Sequence, residues 1–313
     1  MKTKIWLAMF ALYIAWGTTY LAIRFANETI PPFLMTGVRF LLAGLVLYTW
    51  RRLAGDPSPT RRQWRSAVII GSLLLVGGIG GVTLAERYVP SGIAALIIAA
   101  TPLWVVFIDA FRRGGHRPSW PTIAGVVVGL AGMVILVDPF RSSWQKPDIN
   151  LIGVALLLLA GLAWAIGSVY SKSADLPRSP LLGTGMELLA GSAGSFVTGL
   201  VMGEGRQLDL AAISIRSLAG LGYLTVVGSL IAFVCYTWLL RVAPTNLVMT
   251  YAYVNPVVAI IVGSLLAHEA LSTSIIIAIP LILSAVGLIH RKEPKEKPVI
   301  RPAVAVKAAV GEE

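Results

Sequence analysis

The chain has 313 residues, 56% of them hydrophobic and 13% charged, with a formal charge of +11 and a mean hydropathy of +0.78. Soluble domains carry about 25% charged residues, so this composition excludes an ordinary soluble globule and points to an all-α integral membrane protein. The single Cys235 excludes a disulfide framework within the chain. The basic surplus lies mostly between apolar runs, which is the pattern of membrane topology and not of nucleic-acid binding.

A helix crosses the ~30 Å hydrocarbon core with about 20 mostly apolar residues. Ten runs qualify. The first five lie near Ile5–Ile23, Phe33–Trp50, Ser66–Leu84, Ser91–Phe111 and Trp120–Val137. The second five lie near Leu151–Ser171, Leu181–Met202, Leu218–Leu240, Asn246–Ala267 and Thr273–Ile289. The first run is longer than the 7–15 apolar residues of a signal peptide and meets Arg24 where a small-residue cleavage site belongs, so it is expected to be a retained span. With the N-terminus inside, nineteen of the 26 lysines and arginines fall in inside segments and six in outside ones, which predicts that both termini are cytoplasmic.

The second run carries Arg39 inside it, and the same pattern recurs 148 residues later. Pro32, Leu34, Thr36 and Gly37 become Pro180, Leu182, Thr184 and Gly185, and Arg39 becomes Glu187. Trp16 likewise becomes Trp164. Further on, Arg87, Pro90 and Pro102 match Arg241, Pro244 and Pro256 at an offset of 154. Runs one to five thus correspond to six to ten. Because five is odd, the second set enters the bilayer from the opposite side, and inverted repeats of this kind mark transporters with a site near the midplane. The expected organisation is a first repeat over residues 1–140, a second over 141–290 and a disordered cytoplasmic tail over 291–313.

On the first run Tyr13, Trp16, Gly17, Tyr20 and Arg24 fall on one face at spacings of three or four. Gly161, Trp164, Ser168 and Lys172 repeat that face on the sixth. Arg24 and Lys172 lie at helix ends and are read as interface anchors. Arg39 and Glu187 lie deep in their runs, where an insertion cost of about 2.5–3.5 kcal/mol argues for function. Their depths, each about 10 Å from an opposite boundary, predict that they bracket a cavity without touching. Tyr251 and Asn255, one turn apart beside Pro256, complete the candidate substrate-binding set of Trp16, Tyr20, Arg39, Glu187, Tyr251 and Asn255. Pro102 and Pro256 are candidate hinges, because proline removes a backbone donor and frees a carbonyl one turn back.

Several motifs are discounted. Gly77-Gly78-Ile79-Gly80-Gly81 has no preceding strand and no Gly-Lys-Ser/Thr, so close helix packing is the better account. His268-Glu269 lacks the second histidine of a zinc motif. No nucleophile–base set or metal cluster stands out, so an enzyme, a cofactor and a metal are not expected.

Trp16-Gly17-Thr18-Thr19-Tyr20, Gly37-Val38-Arg39-Phe40, Pro90–Ala95, Trp164–Tyr170 and Tyr251–Val258 resemble motifs of the EamA family, the ten-helix branch of the drug/metabolite transporter superfamily. The resemblance covers about residues 5–290. It implies two inverted five-helix repeats around a central cavity, and efflux of small metabolites or drugs across a bacterial inner membrane. The aromatics suit an amphipathic molecule, amino-acid-like or aromatic. The expected partners are this small substrate and the lipid bilayer, and coupling to protons or another ion stays open. A membrane-embedded enzyme, or a passive channel or structural subunit, remains the alternative reading.

Overall fold

A computed structural model describes residues 2–88, 94, 97–99, 101–111, 119–137, 150–267 and 273–290. The tail from 291, the Pro90–Ser91–Gly92–Ile93 stretch, His116 and the His268-Glu269 pair lie outside the described residues. Every regular element among those described is helical. Among the described residues, five stretches are long and apolar enough to cross a membrane: Lys2–Ala26, Pro32–Leu53, Arg61–Ala85, Leu151–Ser171 and Ile215–Val242.

The first stretch is two helices, α1 (Lys2–Gly17) and α2 (Thr19–Ala26), interrupted at Thr18. Thr18 donates its hydroxyl back to the Ile14 carbonyl at 2.9 Å, a bond that competes with the backbone ladder. Helix α3 (Pro32–Leu53) starts on a proline, whose missing N–H costs nothing in a first turn. The third stretch opens on a capping box, Thr60 with Gln63, and runs α4 (Arg61–Gly71), a π-helical segment Ser72–Gly80, then α5 (Gly81–Ala85).

Helices α6 (Thr101–Phe111) and α7 (Trp120–Val137) follow, then α8 (Leu151–Ser171), capped by the Asn150 side chain. Helix α9 (Pro180–Val201) again starts on a proline, after a Ser179 cap. A single turn, α10 (Glu204–Gln207), leads to α11 (Ile215–Tyr223), a second π segment Leu224–Phe233, and α12 (Val234–Val242). The short α13 (Thr245–Val248) precedes α14 (Tyr251–Ala267) and α15 (Thr273–His290), which packs along α7.

Packing rests on glycine, as close approach in lipid requires. Helices α3 and α9 run antiparallel with Gly37 against Phe196, Gly44 against Leu189 and Gly185 against Tyr48. The Ser192 hydroxyl also donates to the Gly37 carbonyl at 2.8 Å. A methyl on Gly71 would stand 2.5 Å from the Glu187 carbonyl oxygen, and one on Gly78 would stand 2.6 Å from the Trp164 ring. The glycine run at 77–81 is therefore a packing surface for α8 and for Phe33, in line with its discounting as a phosphate loop. Outward, Leu42, Leu45 and Val46 of α3 and Val197, Leu200 and Val201 of α9 are exposed, a face suited to acyl chains.

Candidate functional site

The aromatic residues of α1, α8, α12 and α14 converge. Trp16 lies edge-on to Trp164 with centroids 5.4 Å apart, and edge-on to Tyr251 at 4.8 Å. Tyr236 joins them, 5.1 Å from Trp16 and 5.2 Å from Trp164. Edge-to-face contacts are the favoured geometry for such rings. Trp16 also donates its indole N–H to the Gly228 carbonyl at 3.1 Å. The Tyr236 hydroxyl shares a 2.5 Å hydrogen bond with Ser168.

Beside this cluster a cavity opens, with about 640 Å³ of non-atom space that includes open solvent at its mouth. Trp16, Tyr20, Arg39, Trp164, Tyr251 and Asn255 all line it. Five of the six proposed binding residues thus meet at one place. With its amide turned to suit its neighbours, Asn255 donates to the carbonyls of Tyr251 and Tyr13 at 3.0 and 3.2 Å, which fastens α14 to α1. Tyr13 shares a 2.6 Å bond with the Thr250 hydroxyl, so it serves the same junction and not the cavity.

Arg39 is 2% exposed. Its Nε–H donates to the Ser229 hydroxyl at 2.7 Å, and Ser229 in turn donates to the Leu224 carbonyl at 3.2 Å. Gly228 makes this possible, because a methyl there would stand 2.6 Å from Arg39 Nη2. Trp16 and Arg39 are therefore fastened to consecutive residues of one π segment.

Glu187 is the exception. It is 2% exposed but does not line the cavity. Its Oε2 has no hydrogen-bond partner, and the charge that bears on it is Arg241, whose Nη1 donates to the Pro177 carbonyl at 3.1 Å. Pro256 lies inside α14, and Pro102 is the second residue of α6. Arg24 and Lys172 are exposed at their helix ends.

Two residues escaped the sequence reading. Tyr236 lies in an apolar run with Ala232, Phe233, Leu239 and Leu240 at its i±3 and i±4 positions, and the π segment before it breaks the 3.6-residue period. Glu204 reads as a loop acid, yet it is 2% exposed and accepts the Phe33 and Leu34 amides at 3.2 and 2.9 Å. It caps the N-terminus of α3 from 170 residues away. Among the described residues no group of three or more His, Cys, Asp or Glu side chains is placed to hold a metal.

The EamA-like transporter family model matches residues 3–138 and 151–291. The chain belongs to that family. It is 38% identical over 95% of its length, and 94% of the relative's, to the Escherichia coli (strain K12) protein named as the uncharacterized inner membrane transporter YedA. It is 23% identical to the uncharacterized transporter YvbV of Bacillus subtilis (strain 168), over 95% of this chain and 94% of that one. It is 26% identical to protein PagO of Salmonella typhimurium, over 90% of this chain and 91% of PagO. A solved crystal structure superposes with a TM-score of 0.74 at 22% identity, covering 92% of this chain and 96% of the other, and speaks for the fold alone. The EamA resemblance read from the motifs is therefore correct.

Proposed function

We propose that this EamA-family chain is a secondary transporter of the inner membrane that exports small amphipathic molecules by alternating access. The observation that carries the reading is the cavity itself. Its walls come from matched positions, Trp16 and Trp164, that meet edge-on beside it, together with a buried cation and Tyr251. A passive pore has no need of such a cluster of aromatic rings beside a buried cation. Catalysis needs a nucleophile–base pair that no lining residue supplies. In this reading ten spans form two inverted repeats, both termini are cytoplasmic, and Pro256 lets α14 bend as access switches. Coupling to an ion is not part of the proposal.

The test is reconstitution. Purified protein in liposomes should give saturable counterflow of an accumulated substrate. A cysteine at Tyr20, in a Cys235→Ser background, should react with a membrane-impermeant thiol reagent from either side and be protected by substrate. Linear, non-saturating flux would make the protein a channel. Labelling from one side under all conditions would remove alternating access. Reporter fusions after Arg291 that score periplasmic would overturn the orientation.

A further inference from the structure

Among the described residues that line the cavity, Arg39 and the indoles of Trp16 and Trp164 can only donate. Arg39 has one hydrogen bond, Nε to Ser229, and no ion pair among the described residues, so its two Nη groups have no protein acceptor. The Trp164 indole N–H, also in the lining, makes no hydrogen bond of ordinary geometry, its nearest hydroxyls being those of Tyr236 and Tyr251. The Thr101 hydroxyl, 2% exposed and in the same wall, is likewise without a partner. Beside these stand the Asn255 amide and the hydroxyls of Thr19, Tyr20 and Tyr251, which can donate or accept, and no carboxylate among the described lining residues.

A buried cation with a single neutral hydrogen bond is an unfinished arrangement. Taking a guanidinium out of water costs several kcal/mol unless an anion or further acceptors complete it. The guanidinium's flat fork matches a carboxylate with two parallel bonds. The acid nearest the lining is Glu86, which bears on Tyr20; burial raises its carboxyl to about 8, so near pH 7 it offers an ammonium group no charge to meet. The ammonium would also find few open ring faces. Trp16 meets both Trp164 and Tyr251 at 75°, so ring edges already cover ring faces.

We propose that the cavity selects monocarboxylates with an aromatic or similarly bulky apolar body, the carboxylate lying on the Nη groups of Arg39, and that it discriminates against the amide, the amine and the zwitterion of the same body. The inference rests on the cavity being the transport site.

Four molecules of one shape test it: 3-phenylpropionate, 3-phenylpropanamide, phenethylamine and phenylalanine, titrated calorimetrically into purified full-length protein in detergent. The acid should bind about tenfold or more tighter than the amide, with the amine and phenylalanine no better than the amide. Arg39→Gln should bring acid and amide to equal affinity. Arg39→Lys, which keeps charge but loses the fork, should retain part of the preference. If Arg39→Gln does not run as a monodisperse peak, Ser229→Ala, which frees Nε but leaves the guanidinium, should lower affinity for the acid selectively. Equal binding of acid and amide by the unaltered protein overturns the proposal. So does an acid preference that survives Arg39→Gln, tightest binding of phenylalanine or phenethylamine, or no binding of the acid at all. Acid binding that depends on Arg39, without saturable flux in liposomes, upholds the carboxylate site and removes the carrier reading instead.

Discussion

Arg39 and Glu187 lie on two helices packed along their length, yet they share no hydrogen bond or ion pair. The antiparallel register of α3 and α9, fixed by Gly37 with Phe196 and Tyr48 with Gly185, sets Glu187 opposite Val46. Val46 is seven residues, about 10 Å, from Arg39. Each charge therefore has its own surroundings: Ser229 and the cavity for Arg39, Arg241 and the neighbourhood of Gly71 for Glu187.

Exchanging the two charges should accordingly fail. Arg39→Glu would put an acid in place of the cation in the cavity wall, and Glu187→Arg would put a second cation near Arg241. Flux in proteoliposomes should be lost in each single variant and stay lost in the double variant. Recovery of most of the flux by the exchange would show a direct pair in some working state.

Trp16 combines ring packing with one hydrogen bond, and two substitutions separate these. Trp16→Phe keeps an aromatic ring and orphans the Gly228 carbonyl, which should lower unfolding free energy by about 1 kcal/mol. Trp16→Ala also removes three ring contacts and should cost roughly 3 kcal/mol or more. Thermal melts of the purified variants in one detergent would order them. Equal melts would mean that the ring cluster contributes nothing beyond the indole N–H.

Glu204 offers a test remote from the cavity. Glu204→Gln keeps one acceptor but loses the charge that faces the positive end of α3, and Glu204→Ala loses both acceptors. Stability should fall by about 0.5–2 kcal/mol for alanine and by less for glutamine. Ligand affinity should not move in either variant. A large change in affinity at unchanged stability would assign Glu204 to the site.

The glycines divide sharply. Gly71→Ala places a methyl 2.5 Å from the Glu187 carbonyl oxygen, and backbone cannot step aside as a side chain can. Overpacking of this kind costs typically about 1–3 kcal/mol. Gly222→Ala meets nothing within 4 Å. Membrane abundance and melting temperature should drop for the first and hold for the second. Equal behaviour would contradict the described contact of α4 with α9.

One pH dependence lies outside the spans. Asp56 accepts two bonds from the Arg51 guanidinium, at 2.9 and 2.7 Å, and these hold its carboxyl below the ordinary value of 3.8. A depressed folded-state value means that the pair's contribution is complete above about pH 4. It is lost as pH falls through the lower folded value. A carbon-13 titration of labelled Asp56 should show its midpoint below 3.8, and Arg51→Gln should raise it. A midpoint at or above that value in the unaltered protein would mean that the pair does not form.

Much of the site was legible because membranes tolerate polar groups only where they act. A lone arginine in an apolar run named Arg39, aromatics at helical spacing named Trp16 and Tyr20, and the turn beside Pro256 named Tyr251 and Asn255, all of which line the one cavity. The same logic misplaced Glu187. Depth and repeat symmetry fix a residue along the membrane normal, but not its angle around the helix, and that angle turns Glu187 toward Gly71 and Arg241. Tyr236 carried no signal, because the residues that aim it are the π segment before it and Ser168 on another helix. Glu204 carried none because its partners are backbone amides, which have no letter in a sequence.

The π segments have a geometric consequence. Within an α-helix one residue advances the angle by about 100°, and a π turn accommodates an additional residue without passing that advance on. Leu224–Phe233 therefore works as a phase shifter within Ile215–Val242. The half before it holds the angle at which α11 meets α2, and the half after it holds the angle at which Tyr236 reaches Ser168. Deleting one residue there would let the helix relax to the α form, but Trp16 and Arg39 would lose their anchoring points at Gly228 and Ser229. The cavity's binding groups are thus indexed to a helical defect, so this stretch tolerates changes of side chain far better than changes of length.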